Sequence, residues 1–188
     1  MNITKAKQIE GWMHDSELFW LAETSKDKTI ICEIGSWKGR SSKAIADNMP
    51  ENATLWCIDT WKGSLNERET TQKEADDLYG DGVYYDFLQS NIEEIQKGRV
   101  IPLRMKSINA SNFFRENKIT FDFIFIDGSH DFLSIQQDIA FWWPLLKDHG
   151  VFSGHDYVFT TVCDAVNEYF NPQLIELIDN TSIWTIKN

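Results

Sequence analysis

The chain has 188 residues, of which 42% are hydrophobic and 25% charged, so it can bury a core of its own and is too apolar to stay disordered. Eighteen Lys and Arg stand against 29 Asp and Glu, a net charge of −11 without a basic stripe, which argues against nucleic acid as a partner because phosphate contacts need clustered cations. The polar start Met1–Gln8 is no signal peptide and the longest apolar runs, such as Ile139–Leu146, are too short for a bilayer, so a single cytoplasmic domain over 1–188 with no membrane partner is expected.

Lys5–Glu23 reads as one or two short helices within an N-terminal helical cap over 1–28. From Thr29 onward, short continuous apolar runs alternate with helical periodicity, the pattern of a parallel sheet covered on both faces. Strands are predicted at Thr29–Ile34, Thr54–Asp59, Arg99–Leu103, Phe121–Asp127 and Gly150–His155. The first runs through Glu33-x-Gly35-x-x-x-Gly39-x-Ser41 into a helix over Arg40–Met49 that Pro50 stops. Gly35 permits a tight turn, and Gly39 is expected to bring the helix start close to the strand. Asp59 ends the second strand, twenty residues past Gly39, where an acid can grip a ribose.

Thr60–Gly82 is polar and without periodicity, suited to a lid inside a 60–97 insertion that also carries a helix; its charges at Asn66–Asp77 read as a solvated face. A helix is predicted over Phe132–Leu146, where Phe132, Ile135, Ile139, Trp142 and Leu146 share one face and Pro144 kinks the end. Gly98 and Gly150 read as helix stops. After a helix at Val162–Phe170, the runs Leu174–Asp179 and Ser182–Ile186 flank Asn180-Thr181 as a hairpin. Cys32, Cys57 and Cys163 lack metal spacing and read as reduced packing residues.

The glycine turn narrows the ligand. A dinucleotide fingerprint starting at Gly35 needs glycines where this chain has Trp37 and Arg40, and both are too bulky for backbone to approach a pyrophosphate. A phosphate loop fails as well, because its glycines would be one residue farther apart and Arg40 stands where it needs Lys. Both mismatches count against a nucleotide-cofactor oxidoreductase and leave a nucleoside without a phosphate chain. Ligands of an open parallel sheet bind at the carboxyl ends of its strands, which gathers Asp59, Asp127, His130, His155 and Asp156 at one rim.

The 33–41 motif resembles the first motif of class I S-adenosylmethionine (SAM) dependent methyltransferases. Ile126-Asp127-Gly128-Ser129-His130, the helix around Asp138, and Gly154-His155-Asp156-Tyr157 resemble a bacterial branch of small-molecule O-methyltransferases. That branch is related to sugar and macrolide O-methyltransferases and the cephalosporin hydroxylase group. The resemblance covers most of the chain and implies an α/β fold: a Rossmann-like three-layer α/β/α sandwich, its seven-stranded, mostly parallel sheet ending in an antiparallel hairpin strand. It also implies a SAM pocket built from Glu33, Gly35, Ser36, Trp37, Gly39 and Ser41, then Asp59, Thr60 and Trp61, then Ser107, Asp127, Gly128 and His130. Glu33 and Asp127 would face the sulfonium, Asp59 the ribose, Trp37 and Trp61 the adenine or the cation, and Ser107 the adenine.

Several relatives hold magnesium between an acid after the fourth strand and two acids after the fifth. By that resemblance Asp127 and Asp156 would bind Mg2+ or another divalent metal with His155 in the third place, although imidazole suits manganese, iron or zinc better than magnesium. Methyl transfer needs alignment and a deprotonated acceptor, so Asp127, His130 and Asp156 are the catalytic candidates, with either His130 or a metal-lowered hydroxyl providing the deprotonation. The expected function is methylation of a small molecule at a hydroxyl. The rival readings are the oxidoreductase and a non-catalytic SAM- or nucleoside-binding protein, and assembly into a homo-oligomer stays open.

Overall fold

The computed structural model describes residues 1–63 and 81–186. Segment 64–80, with most of the predicted lid Thr60–Gly82 and the charged face Asn66–Asp77, lies outside the described residues. Seven strands form one sheet: β1 (Ile30–Ile34), β2 (Thr54–Asp59), β3 (Val100–Arg104), β4 (Phe121–Ile126), β5 (Leu146–Gly154), β6 (Ile175–Leu177) and β7 (Trp184–Ile186). Their order is β3-β2-β1-β4-β5-β7-β6. The first five pair in parallel, whereas β7 runs antiparallel to both β5 and β6. The sheet therefore has the expected composition, and its terminal hairpin lies beside β5.

Strand alternation assigns the two layers of helix. Ile31, Leu55 and Phe123 pack with residues of α1 (Asp15–Ser25), α2 (Arg40–Ala46) and α3 (Gly82–Ser90). Their neighbours Cys32, Ile58 and Ile124 pack on the other face with α5 (Ser107–Glu116), α6 (Phe132–Trp142) and α7 (Thr160–Tyr169); the short α4 (Ile92–Gln96) precedes β3. Burial on both faces explains why the inner strands read as continuous apolar runs. Chain order reverses direction between β1 and β4, and the crevice outside the carboxyl ends at such a point is where this kind of sheet binds ligands.

Several boundaries differ from the sequence reading. Only α1 and a 3-10 turn at Ala6–Gln8 form in the stretch Lys5–Glu23, and residues 9–14 between them are not helical. The helix predicted to Leu146 stops at Trp142, since Pro144 lies in a separate 3-10 turn, Trp143–Leu145. Gly150 is no helix stop: β5 has already begun at Leu146. Phe121 pairs with Leu146 but Phe123 with Val151, so β5 bulges between them, with His149 at φ 61. Gly98, at φ 71 just past α4, does cap a helix. The hairpin strands are shorter than predicted because Leu174 belongs to a 3-10 turn and residues 178–183 make the connection. All three cysteines are free thiols, and among the described residues no helix is long and apolar enough to cross a membrane.

Candidate active site

The turn after β1 is held from below and from the side. Glu33 lies on the same face of β1 as Ile31, which turns its fully buried side chain toward α2. Its Oε2 accepts from Ser36 Oγ at 2.6 Å and from Ser42 Oγ, while Oε1 has no partner among the described residues. Burial pushes this carboxyl up to about 7 against the pull of the serines. Glu33 does not line the cavity described below, so the sulfonium role gives way to one of shaping the turn.

The unfolded carboxyl ionises near 4.5 and the folded one near 7, so the native state holds the proton longer and Glu33 lowers stability as pH rises through that window. Glu33→Gln is therefore expected to gain on the order of 3 kcal/mol at pH 8 relative to pH 4. Urea unfolding at the two pH values measures it, and parallel curves for variant and parent would refute it.

Asp59 also serves the turn. Its Oδ2 accepts from the amides of Ser36 and Trp37 at 2.9 Å each, and its Oδ1 from that of Trp61 at 2.7 Å. Burial raises its pKa even against these donors. The carboxylate lines the cavity, but most of its acceptor capacity is committed to backbone, which the ribose assignment did not foresee. Gly35, at φ 85, is indispensable: a Cβ there would lie 2.0 Å from the carbonyl oxygen of Asp127. Gly39 corrects another expectation, because it caps α2 at φ 86 and packs on Phe87 and Asn91, away from the strand and outside the cavity lining. Trp61 is only 2% exposed; its ring stacks with Tyr84 and Phe87 and its Nε1 donates to the Trp37 carbonyl at 2.7 Å. It supports the turn more than it faces a ligand.

These elements enclose a cavity of about 910 Å3 at the carboxyl ends of the strands. Gly35, Ser36, Trp37, Ser41, Asp59, Thr60, Trp61, Ser107, Asp127, Gly128 and His130 all line it, as do His155 and Asp156. Trp37, Trp61 and Asp156 have φ of 40, 52 and 60. Such costly backbone geometry in non-glycine residues collects at functional sites.

At one end of the cavity lies a charge cluster. His155 is buried; its Nδ1 lies 3.3 Å from Asp127 Oδ1 and 3.2 Å from Asp156 Oδ2, and its Nε2 lies 3.0 Å from Glu17 Oε1 of α1. Burial alone would lower its pKa, but the three carboxylates override that and push it up to about 12. Burial likewise works against the charge of Glu17, yet His155 and the donors Ser182 N and His14 N bring its pKa down to about 2. Asp156 is held well below the usual carboxylate range by His130 and His155 in spite of burial. Both ring nitrogens of His155 face carboxylates, and His155 is not among the residues whose donor atoms gather for a metal. His130 replaces it: Asp127, His130 and Asp156 each offer a donor atom within 4.8 Å of the others, and His130 Nε2 is 2.8 Å from Asp156 Oδ2.

Ser107 is already engaged, donating to Asp138 and accepting from Trp142 Nε1 at 2.7 Å. Asp138, raised to about 6 by burial against the Ser107 bond, lines the cavity where Ser107 was expected to act. Its sequence signal was an acid between Ile135 and Ile139 on an otherwise apolar helix face. Glu17, and the wall residues Trp12 and Met13, carried no motif.

Residues 32–157 match the model of a family described as a methyltransferase domain. No curated protein matches the chain. Among solved structures it is similar to a provisionally assigned caffeoyl-CoA O-methyltransferase from Staphylococcus aureus, with 14% identity and a TM-score of 0.65 over 98% of this chain and 88% of that one. It is also similar to an O-methyltransferase from Bacillus cereus in complex with S-adenosylhomocysteine (15% identity, TM-score 0.65, 96% and 85% covered). The calicheamicin methyltransferase CalS11 aligns as well, at 11% identity and a TM-score of 0.65 over 90% and 76%. At these identities the likeness is one of fold.

Proposed function

This chain belongs to the methyltransferase-domain family, and from that premise we propose that it uses SAM to methylate a hydroxyl of a small-molecule acceptor. The observation that carries the reading is one cavity lined both by a glycine turn suited to a nucleoside and by the cluster of Asp127, His130 and Asp156. Its volume of about 910 Å3 is near the top of the range for small-ligand pockets, room enough for donor and acceptor together. The acids along the wall favour a sulfonium cation over a pyrophosphate. Asp156 orients His130, which takes the hydroxyl proton as the acceptor oxygen attacks the methyl carbon and the sulfur leaves with its electron pair. A divalent cation held by Asp127, His130 and Asp156 would take the lone pair that His130 uses as a base, and would instead assist deprotonation by lowering the pKa of a coordinated hydroxyl.

Calorimetry is expected to show S-adenosylhomocysteine binding and no NADH binding. Mass spectrometry of a panel of hydroxylated small molecules incubated with SAM is expected to show a methylated product. Binding of S-adenosylhomocysteine with no product from any acceptor would favour a non-catalytic SAM-binding protein, and NADH binding would favour an oxidoreductase.

A further inference from the structure

Residues 9–14 cross the cavity mouth between the 3-10 turn at Ala6–Gln8 and α1, and place Gly11, Trp12 and Met13 in its wall. Trp12 is 66% exposed and at the same time lines the cavity. The turn and the start of α2 fasten this strap at three points. Trp37 stacks on Trp12 with ring centres 4.3 Å apart. Lys38 Nζ sits 2.8 Å from Glu10 and 3.2 Å from Asp86 of α3. Arg40 Nη1 donates to the carbonyls of Ile9 at 2.6 Å and Lys7 at 3.2 Å, and its Nε to that of Met13 at 3.1 Å.

Of the three, Arg40 does most. Ion pairs such as that of Lys38 with the exposed Glu10 contribute little, whereas a planar guanidinium holds several carbonyls in fixed directions at once. Gly11 lies flat against its stem, where a Cβ would come within 2.8 Å of Arg40 Cδ. The turn that carries Trp37 also carries the amides that Asp59 holds, so strap and turn share one set of supports.

Building on the reading of the 35–39 turn as the SAM-binding element, we propose that Arg40 is a positioning residue that makes the strap 7–14 part of the cofactor site. A ligand that fixes the turn then fixes the strap, and with it Trp12 and Met13 of the cavity wall. Coupling of this kind requires that the ligand restrict the motion of both elements together.

Hydrogen exchange read by mass spectrometry, with and without S-adenosylhomocysteine, tests this on the full chain alongside calorimetry. In the parent, the ligand is expected to slow exchange across 7–14 by about tenfold or more. In Arg40→Gln the same amides are expected to exchange fast in both states while S-adenosylhomocysteine still binds. Arg40→Lys, which keeps the charge but not the planar fork that holds three carbonyls, is expected to give the same result and covers the case in which Arg40→Gln fails to fold. Unchanged protection of 7–14 in either folded variant, or ligand binding that leaves the parent strap unaffected, would overturn the proposal. If S-adenosylhomocysteine does not bind the parent, the SAM reading fails on its own, and unliganded exchange still reports whether Arg40 holds the strap.

Discussion

Replacing His155 with leucine is expected to destabilise the fold by about 3–5 kcal/mol, because removing one member of a buried ionic group leaves its partners charged and uncompensated. Asp156 would keep His130, but Asp127 and Glu17 would lose the cation within 3.3 Å of each. The pH dependence has a definite window. Glu17 ionises near 4.5 unfolded and about 2 folded, so its contribution is whole above 4.5 and is lost as pH falls through 2. His155 titrates near 6.5 unfolded and about 12 folded, so its contribution is whole below 6.5 and wanes as pH rises toward 12. The gap between parent and His155→Leu should be widest between pH 4.5 and 6.5. Urea midpoints across that range measure it, and a variant as stable as the parent at pH 6 would show that the carboxylates do not depend on the ring.

Gly35→Ala is expected to weaken S-adenosylhomocysteine binding by about a hundredfold or more, in line with the loss seen when a fitted geometry is displaced by an ångström. The added Cβ would meet the oxygen and carbon of the Asp127 carbonyl at 2.0 and 2.4 Å and Gly128 Cα at 2.7 Å, all backbone, at a φ of 85 that alanine resists. The turn and the end of β4 would have to separate, carrying Asp127 with them. Calorimetry on the variant and the parent decides it; an unchanged dissociation constant would mean that the close approach at Gly35 does not matter for the ligand.

The sheet was legible because each inner strand is buried on both faces and so appears as an unbroken apolar run, and the strand ends placed Asp59, Asp127, His130 and Asp156 at one rim before any coordinates. What could not be read is how each polar side chain divides its bonds. Glu33 and Asp59 have the residue type and spacing of ligand-binding acids, yet serines and backbone amides occupy them. The charge of His155 owes most to Asp127 and Asp156, and its third carboxylate, Glu17, approaches from a helix with no motif to mark it. Arg40 counted in sequence as an obstacle to a phosphate; its partners are carbonyls some thirty residues earlier, which no local pattern announces. Boundaries failed where an extra residue count was absorbed irregularly, as in the bulge of β5 around His149.

Glu17 carries one further implication. Its Oε1 accepts from the amide and hydroxyl of Ser182, 165 residues away, both at 2.9 Å, as well as facing His155. During synthesis, then, the acid of α1 waits for another 165 residues before its donors on Ser182 exist. Contacts of such sequence separation form late and slowly. A nascent chain halted ahead of Ser182 would hold β1 to β5 with this carboxylate still lacking the Ser182 amide and hydroxyl, so the support behind His155 is completed only after the five parallel strands have been made.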